Sequence, residues 1–429
     1  MPDEHVQSGG APTEGLSPDL AKDAPRVNAE RLLGDLRALA TVGATPAGGV
    51  HRPAYGDDDL TARDLVRDWM RGAGLAVRID AAGNTFGRRG APDREPPIII
   101  GSHTDSVPDG GRFDGALGTL AALEVARTIA ERGIRLRHPL EVVNFQNEEG
   151  GIIGSKAVAG RLSAQELALK ATSGYAIGEG IRRLGGNPDR LSDAVLSPGS
   201  VAAYVELHIE QGRVLERAGT DIGIVEGIVG ISYWEVTFDG VAAHAGSTPM
   251  ADRHDALLAA ARLIEAVHAT VLDTPGRHVG TVGRLAVSPG APNVISGRTV
   301  VTLELRDLEQ SRIDALFAAI VPRAERIAAD TGTRVTLRPT TRVVPAPTDV
   351  RVRDAIAFAA NSLGLRSLTM PSGAGHDAQN MAAIGPSGML FVPSIDGISH
   401  SPHERTDDRD VVNGANALLV AVLRIDGTI

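Results

Sequence analysis

The stretch that decides the fold is GSHTDSVPDGGRFDG, residues 101–115. It directly follows the apolar run at residues 97–100, which is typical of a short buried strand. The stretch contains one histidine, three aspartates and four glycines, a composition that suits a tightly turning polar loop rather than a core. Open α/β sheets bind their ligands at the carboxyl ends of their strands. We therefore expect this loop to carry a ligand site, and its side chains are of the kinds that bind metals.

Apolar spacing on both sides of this loop predicts alternating helices and strands. The helices are expected over residues 26–40, 60–73, 116–131, 350–362 and 408–423. The strands are expected over residues 75–79, 97–100, 140–145, 202–207 and 389–392. Strands that alternate with helices are typical of an α/β sheet, which is the fold class that we predict.

A second pattern begins near residue 223. Strands are expected over residues 232–238, 278–287, 298–306 and 334–341, and helices over residues 251–269 and 311–329. In the first of these helices, Leu257, Leu258, Ala261 and Ile264 recur at helical spacing. The order β-α-β-β-α-β is that of ferredoxin-like domains. Pro322 falls inside the second helix, so we expect a kink there or two separate pieces.

These changes of pattern divide the chain. Residues 1–26 are polar and rich in Gly, Pro and Asp, and we expect them to form a disordered extension. Residues 27–223 and 341–429 are expected to form one α/β domain in two parts. Residues 224–340 are expected to form a second domain that is inserted into the first.

Composition narrows the classes of function. The chain has 429 residues, with 43 Lys and Arg against 53 Asp and Glu, and no long basic tract, which argues against a nucleic-acid partner. It has no cysteine, so any metal must be held by histidine and carboxylate groups, and a reducing cytoplasm is a fitting location. We find no signal peptide and no continuous apolar run of about 18 residues, so we expect a cytoplasmic protein that does not span a membrane.

Five side chains that can bind metals fall at the expected carboxyl ends of the strands: His103, Asp114, Glu149, His208 and His400. Taken singly, each has an ordinary interpretation as a surface histidine, a turn aspartate or a solvated glutamate. Their coincidence at one edge of one predicted sheet favours a metal site. Three imidazoles with two or three carboxylates suit Zn, Mn, Co or Ni better than Ca or Mg, and a carboxylate can bridge two such ions.

Two further carboxylates have predicted roles beside these ligands. Glu148 precedes Glu149 at a strand end, so its side chain points in a different direction and is free to act as the base that takes a proton from an attacking water. Asp105 lies two residues after His103, where it could accept the second ring N–H of that histidine and fix its tautomer. We assign Glu148 as base and Glu149 as ligand.

The segments GSHTDSVPDGGRFDG, NEEG, ELHIEQG, GSTPM, PSGAGHDA and GISHSPHE together resemble the hydantoinase/carbamoylase family of binuclear metal amidohydrolases. This family is related to aminoacylases and dinuclear zinc exopeptidases, and the resemblance covers about residues 30–425. It implies a mixed-sheet catalytic domain like that of zinc exopeptidases, with an inserted ferredoxin-like α+β lid that also forms a homodimer. It further implies two divalent metal ions per subunit.

The resemblance also implies individual roles. Asp114 would bridge one ion held by His103 and His208 and a second held by Glu149 and His400, and Glu148 would be the general base. His244 resembles the lid histidine that polarises the scissile carbonyl in the partner subunit, although a plain histidine at a strand edge is the alternative. The remaining substrate contacts implied by the resemblance are Gln211, Asn293, Arg306, Gly375 and His376.

Two of these substrate contacts keep alternatives from the sequence alone. Arg306 resembles the arginine that binds the substrate carboxylate, a role that its planar fork of N–H donors suits. It could equally form a salt bridge with Asp307 or Glu304, and His376 could be structural.

The expected activity is hydrolysis of the carbamoyl C–N bond of an N-carbamoyl-L-amino acid, a small carboxylated ureido substrate. Allantoate, an acyl amino acid or a small peptide are alternative substrates for the same groups. A metal-dependent binding protein without catalysis is a further alternative, but Glu148 argues against it because a pure binder needs no base.

Overall fold

The computed structural model of the protein describes residues 24–90 and 95–429. Most of the extension expected at residues 1–26 therefore lies outside the described residues. The strands are β1 (Ala76–Ile79), β2 (Thr85–Arg89), β3 (Ile98–His103), β4 (Leu140–Phe145), β5 (Ala203–Ile209), β6 (Ile222–Ile228), β7 (Gly230–Asp239), β8 (Ala243–His244), β9 (Val279–Ser288), β10 (Val294–Ile295), β11 (Arg298–Asp307), β12 (Arg334–Val343), β13 (Ala346–Pro347), β14 (Ser367–Ser372) and β15 (Ser387–Val392). The α-helices are α1 (Ala29–Leu39), α2 (Asp57–Gly72), α3 (Ala116–Glu131), α4 (Ile153–Val158), α5 (Ile177–Arg183), α6 (Val214–Ala218), α7 (Ala256–Asp273), α8 (Gln310–Thr331), α9 (Val350–Ser362), α10 (Ala378–Met381) and α11 (Asp408–Thr428).

A large mixed sheet has the strand order β1-β2-β4-β3-β5-β15-β6-β13, and β14 also pairs with β6. At its centre β3 lies parallel to β4 and β5, and β15 lies parallel to β5, whereas β2 runs antiparallel to β4. Every residue of β3, β4 and β5 is buried, as expected for central strands covered on both faces. The predicted α/β class is confirmed, and the sheet is mixed.

Helices cover both faces of this sheet. On one face α1, α2, α3, α9 and α11 bury their apolar residues in a single core with β3, β5 and β15. On the other face a smaller core contains aromatic and aliphatic residues of β2, β4, β5 and α10. The central strands are therefore fixed in position, and so are the residues at their carboxyl ends.

A separate four-stranded antiparallel sheet has the order β12-β7-β11-β9, with α7 and α8 packed on it. Along the chain its elements run β7-α7-β9-β11-α8-β12, which is the β-α-β-β-α-β order of ferredoxin-like folds. The buried face of α7 is formed mainly by Ala259, Ala260, Leu263 and Val267. The positions singled out from its sequence, Leu257, Leu258, Ala261 and Ile264, are exposed instead.

The structure also departs from the sequence-based expectations at the domain boundaries, in some of its strands and at Pro322. The boundary expected at residue 224 falls within β6, which lies in the large sheet along its whole length, and the boundary expected at residue 341 falls within β12. Strands β2, β6, β13 and β14 were not anticipated, because they are short or because Gly, Pro or charged residues interrupt their apolar pattern. Helix α8 continues through Pro322 as one helix rather than two, because Pro322 lies on its exposed side, where water can bond to the carbonyl that proline leaves free.

Helix α11 has the length and composition of a possible membrane span. In the fold most of its apolar stretch is buried inside the protein. The helix packs against α3, α9, β5 and β15, so its apolar surface is covered by the core. Charged residues at both ends and Asn413 and Asn416 within the helix interrupt the apolar run, which is why no continuous run marks it in the sequence.

Candidate metal centre

The carboxyl ends of β3, β4 and β5 meet at one edge of the large sheet because these three strands are parallel neighbours. His103 is the last residue of β3, His208 lies near the end of β5, and Glu148 and Glu149 follow β4 after a short turn. Asp114 comes from the loop that leads into α3. The residue after it, Gly115, has a φ of +62°, and a Cβ there would lie 2.3 Å from the His103 ring. Only glycine therefore lets the loop pass this close to the histidine.

Asp114 and two histidines form the first candidate ligand group. Asp114 Oδ1 lies 3.1 Å from His208 Nε2 and 3.5 Å from His103 Nε2. One ligand atom from each of the three residues lies within 4.8 Å of the others, and all three side chains are buried. The other ring nitrogens bond to backbone carbonyls, His103 Nδ1 to Asp105 at 3.1 Å and His208 Nδ1 to Ile209 at 2.9 Å. Both Nε2 atoms therefore point toward Asp114 as potential ligands.

The second candidate ligand group shares Asp114. His400 Nε2 lies 3.4 Å from Asp114 Oδ2 and 3.4 Å from Glu149 Oε2. His400 belongs to the loop before α11 and has a φ of +53°, a left-handed conformation that a histidine adopts only when its surroundings hold it there. Its side chain is 51% exposed, so this group opens to solvent while the first is closed. The five expected side chains thus converge in two groups joined by one aspartate.

The donor set fits divalent cations. His103 Nε2 and Glu149 Oε1 are buried atoms without a hydrogen-bond partner among the described residues, and each belongs to a side chain of a ligand group. Buried polar atoms are seldom left unpaired, so two such atoms in one cluster indicate that something else binds there. Imidazole nitrogens with carboxylate oxygens are the ligands that Zn, Mn, Co and Ni prefer.

The pKa values within the cluster show how strongly it favours positive charge. Burial alone would raise the pKa of Asp114, yet His208, His103 and His400 hold it well below its usual range. Burial likewise opposes protonation of His103, yet Glu148, Asp114 and Asp105 raise its pKa well above the usual value. The bond with Asp114 raises the pKa of His400 to about 9, although burial opposes this. Protons and metal ions therefore compete for the same nitrogens.

We predict from these shifts that metal affinity increases with pH. A ligating imidazole must be neutral, so below its raised pKa each histidine has to lose a proton before it can bind an ion. Between about pH 6 and pH 8 we expect the apparent affinity to increase by about tenfold per pH unit for every proton released. Isothermal titration of the metal-free protein in buffers of different ionisation enthalpy measures both quantities. Affinity that is flat with pH, with no proton release, would contradict the assignment of these histidines as ligands.

Glu148 lies beside the first ligand group without joining either. Its Oε2 is 3.6 Å from His103 Nε2, and the residue is only 8% exposed. Burial raises the pKa of Glu148 well above its usual value, and the nearby charges of Glu149, Asp377 and Asp114 add to this while His103 opposes it. A carboxylate with a raised pKa is suited to accepting a proton near neutral pH.

Asp105 is buried in the cluster, but it contacts other partners than those expected. Its carboxylate is 3.8 Å from His103 Nδ1, beyond a hydrogen bond, and the Asp105 backbone carbonyl accepts that N–H instead. The carboxylate accepts the backbone N–H groups of Glu148 at 3.3 Å and Glu149 at 3.2 Å. Asp105 thus fixes the tautomer of His103 through its main chain, and its side chain orients the paired glutamates. The buried Arg63 lies 3.8 Å from the same carboxylate and balances its charge.

Three of the predicted substrate contacts, Gln211, Gly375 and His376, lie against the Asp114 cluster or next to a residue that does. Gln211 Nε2 donates to Asp114 Oδ2 at 2.7 Å. The ring of His376 packs on that of His208 with a centroid distance of 4.5 Å, and its buried Nε2 has no partner among the described residues. Gly375 immediately precedes His376. Burial and the adjacent His208 hold the pKa of His376 well below its usual value, so the ring is neutral.

Arg306 lies on β11 of the smaller sheet and reaches the large one. Its Nη1 donates to the Gly373 carbonyl at 2.6 Å, two residues before Gly375, and its Nε bonds to Glu304. The salt bridge with Glu304 considered from the sequence is therefore present. The bonds to Glu304 and Gly373 use one edge of the guanidinium, and its remaining N–H groups can donate to another ligand.

His244 and Asn293 lie together on the two-stranded ribbon of β8 and β10. Val294 pairs with His244, and the Asn293 carbonyl accepts the Ala245 N–H at 3.0 Å. His244 is exposed, and its Nδ1 accepts the backbone N–H groups of Gly246 and Ser247, both at 3.1 Å. The ring proton is therefore on Nε2, which points away as a donor. Among the described residues no hydrogen bond or ion pair joins this ribbon to the Asp114 cluster.

Two buried glutamates near the cluster escaped the sequence analysis. Glu206 forms a further potential ligand group with His208 and His376. However, it already accepts bonds from Ser102 at 2.7 Å, Tyr204 at 3.1 Å and the Ala378 N–H at 3.1 Å. Its oxygens are therefore already bonded, and Glu206 stabilises the residues around the ligand groups. The second is Glu404, which accepts the backbone N–H of Asp114. The only sequence signal for it is its position in the segment GISHSPHE, four residues after His400.

Comparison with known proteins gives the family of the chain. Residues 99–424 match the model of peptidase family M20/M25/M40. An N-carbamoyl-L-amino acid amidohydrolase from Geobacillus stearothermophilus is 44% identical over 93% of this chain and 99% of its own length. A ureidoglycolate hydrolase from Arabidopsis thaliana is 36% identical over 96% of this chain and 88% of its own. The crystal structure of a hydantoinase/carbamoylase family amidase from Burkholderia ambifaria superposes with a TM-score of 0.87 at 39% identity, over 94% of this chain and 99% of that one.

The family match covers most of the chain, and the similarity to amidohydrolases extends over nearly the whole length of both partners. The resemblance inferred from the sequence segments is confirmed. The chain belongs to peptidase family M20/M25/M40 and, within it, to the hydantoinase/carbamoylase amidohydrolases, and it is therefore a hydrolase of C–N bonds.

Proposed function

We propose that this protein hydrolyses the carbamoyl C–N bond of N-carbamoyl-L-amino acids and releases the amino acid, CO2 and ammonia. The observation that carries the proposal is the convergence of four potential metal ligands on a fifth, Asp114, with Glu148 beside them and in neither ligand group. The N-carbamoyl-L-amino acid amidohydrolase that is 44% identical supports this choice of substrate class.

We propose two divalent ions per chain, Zn, Mn, Co or Ni, with Asp114 as the shared ligand. His103 and His208 would complete the first ligand group, and Glu149 and His400 the second. Divalent ions bound there would act as Lewis acids, polarising the scissile carbonyl and making water a better nucleophile at neutral pH. The cluster of carboxylates around Asp114 supports this number, because two dipositive charges would offset the repulsion between Asp114, Glu148 and Glu149.

Glu148 would move the proton. Its carboxylate would take a proton from the attacking water and later deliver it to the leaving nitrogen. The backbone bonds from Glu148 and Glu149 to Asp105 would hold the base in position through both steps. His244 of the partner subunit would donate its Nε2–H to the oxygen on which negative charge develops.

The substrate would be placed by its carboxylate. Arg306 keeps N–H donors beyond those bonded to Glu304 and Gly373, and a planar fork suits a carboxylate. Gln211, Asn293, Gly375 and His376 would bind the ureido group and backbone of the substrate. The first and last of these already lie against Asp114 and His208, which supports that role.

Replacing Arg306 with alanine should raise KM for a carboxylated substrate by about 10–100-fold, the usual worth of hydrogen bonds to a charged group. The matched control is Arg298→Ala, because Arg298 begins the same strand and pairs with Asp239 on the surface. The amide of the same substrate, which lacks the carboxylate, should lose little on mutation of Arg306. An unchanged KM for the carboxylated substrate would remove Arg306 from the binding site.

We further propose a homodimer formed by the smaller domain, which runs from β7 to β12 (residues 230–343 rather than the expected 224–340) and would act as lid and dimerisation domain. Strand β9 pairs only with β11 among the described strands, so its other edge is open. Several apolar side chains are exposed around it: Leu257 and Leu258 at 40% and 44%, Leu272 at 70% and Val279 at 53%. An open edge beside an apolar helix face suits a second copy related by a two-fold axis. Short connections between β6 and β7 and between β12 and β13 would act as the hinge.

Light scattering coupled to size exclusion tests the dimer. The double variant Leu258→Asp with Leu272→Asp should convert a dimer to a monomer, because each new charge would be buried at the interface. Val350→Asp is the matched control, since Val350 is 55% exposed on the large domain. A double variant that elutes as the wild type does would exclude this surface as the interface.

A second candidate substrate class is favoured by the similarity to ureidoglycolate hydrolase at 36% identity. Ureidoglycolate and allantoate are also small carboxylated ureido compounds, and the same groups could bind them. A panel of N-carbamoyl-L- and D-amino acids, ureidoglycolate, allantoate and N-acetyl amino acids, assayed with the metal-reconstituted protein, discriminates between the candidates. The proposal expects the highest kcat/KM for N-carbamoyl-L-amino acids. A higher value for ureidoglycolate or allantoate would replace it, and no hydrolysis of any compound would favour a binding protein.

We also propose that the enzyme acts in the cytoplasm, which the lack of cysteine supports because such a fold needs no oxidising compartment.

A further inference from the structure

We propose that Glu404 is a positioning residue that assembles the second ligand group, Asp114 with Glu149 and His400, by fastening together two loops that are distant in sequence. The inference rests on the two-ion centre proposed above. One loop is residues 111–114, which ends in Asp114, and the other is residues 399–404, which contains His400.

Hydrogen bonds from both loops converge on the Glu404 carboxylate. Oε1 accepts the backbone N–H groups of Phe113 at 2.9 Å and Asp114 at 3.1 Å. Oε2 accepts the Ser399 hydroxyl at 2.8 Å. Glu404 is 1% exposed, so no water competes for these bonds. One buried side chain thus fixes the main chain of the shared ligand and the residue that precedes His400.

Space for this carboxylate depends on a glycine. A Cβ at Gly111 would lie 1.9 Å from the carboxyl carbon and from Oε1 of Glu404, far inside any allowed contact. Any other residue at position 111 would therefore displace the carboxylate from the two N–H groups. The loop and Glu404 fit each other, which argues against a carboxylate that is buried there by chance.

Ser399 extends the link to the ligand itself. Its hydroxyl lies 2.8 Å from Glu404 Oε2 and 3.2 Å from Asp114 Oδ2, the oxygen that faces His400. The next residue, His400, has the left-handed φ of +53° and therefore depends on its neighbours to hold its conformation. The bond from Ser399 to Glu404 provides such a hold directly before His400.

The two ligand groups should differ in their dependence on Glu404. His103 and His208 lie within β3 and β5, where His103 pairs with Phe145 of β4 and His208 pairs with Phe391 of β15. His400 lies on a loop without a neighbouring strand. Asp114 belongs to both groups, but two of the three ligands of the first group lie on paired strands. Loss of Glu404 should therefore weaken the group with His400 much more than the group with His103 and His208.

Titration of the metal-free, full-length protein with Co2+, followed by calorimetry and visible absorption, counts the ions and gives each affinity without an activity assay. Glu404→Ala should bind the first ion within about threefold of wild type and the second about 10–100-fold more weakly, the usual effect of removing a group that orients a ligand. Gly111→Ala should do the same with Glu404 intact. Glu404→Gln should retain most of the affinity, because its amide oxygen can still accept both N–H groups.

Glu124→Ala is the matched control. Glu124 is also a buried glutamate that accepts a backbone N–H, from Asn28 at 3.0 Å, but it lies eight residues into α3 from Ala116, or about 12 Å along the helix axis from its start near Asp114. The Glu124→Ala variant should be less stable than the wild type but should bind both metal ions with unchanged affinity. If Glu404→Ala does not fold, as judged by circular dichroism, Glu404→Asp takes its place, because the shorter side chain cannot span both loops.

The outcomes separate this inference from the proposed centre. Wild type that binds fewer than two ions would overturn both. Wild type that binds two, with Glu404→Ala and Gly111→Ala equal to it, would overturn the role of Glu404 alone. Equal weakening of both ions, or the same effect from Glu124→Ala, would also overturn it, since the loss would then reflect general destabilisation.

Discussion

Replacing Glu148 with glutamine is expected to lower kcat by about 10²–10⁴-fold, the usual contribution of a general base, while both metal ions stay bound. Glutamine keeps the size of the side chain but cannot accept the proton of the attacking water. Metal content should not change because Glu148 belongs to neither ligand group and lies 3.6 Å from His103 Nε2. Steady-state kinetics together with metal analysis of the same sample measures both quantities.

The neighbouring residue provides the control. Glu149→Gln changes the same chemical group one position along the chain, but Glu149 lies in the second ligand group, 3.4 Å from His400. That variant should lose affinity for one ion, whereas Glu148→Gln should not. Hydrolysis by Glu148→Gln at the wild-type rate would show that the base has been assigned to the wrong residue.

Replacing Asp114 with alanine is expected to have the largest effect on metal binding, because Asp114 is the one residue common to both ligand groups. Both affinities should decrease by more than the roughly 10–100-fold caused by loss of an orienting group. His400→Ala should instead weaken only the ion that Asp114 shares with Glu149. Equilibrium dialysis against Zn2+ or Mn2+ gives the number of ions bound by each variant.

Circular dichroism of the metal-free Asp114→Ala protein is needed as a control, since the change leaves His103 and His208 without their buried counter-charge. Two ions bound with wild-type affinity by a folded Asp114→Ala protein would be incompatible with a shared aspartate. Loss of one ion alone would mean that the two groups are independent sites.

The sequence predicted those parts of the site that follow from strand order. His103, Glu149 and His208 were placed correctly at one edge because parallel neighbouring strands bring their carboxyl ends together, which local patterns are enough to indicate. Helix α3 and strand β4 have the predicted bounds, residues 116–131 and 140–145. Long apolar stretches of this kind determine their own structure through burial.

Local sequence patterns did not predict the features that depend on tertiary contacts. Nothing in the spacing of the sequence indicates that Glu404 reaches back almost 300 residues to the backbone at Asp114, or that the Asp105 side chain binds the paired glutamates rather than His103. The exposed leucines of α7 have helical spacing, but only the packed structure shows that alanines form the buried face. Such features depend on which segments meet in space, and a single sequence does not record that.

The most direct measurement is anomalous X-ray diffraction from crystals grown with Mn2+ or Zn2+, collected at the absorption edge of the metal. The account predicts two anomalous peaks about 3.5–4 Å apart, both next to Asp114, one contacting His103 and His208 and the other Glu149 and His400, with Glu148 bound to neither. A single peak, a peak bound by Glu148, or two peaks without a shared Asp114 would contradict it.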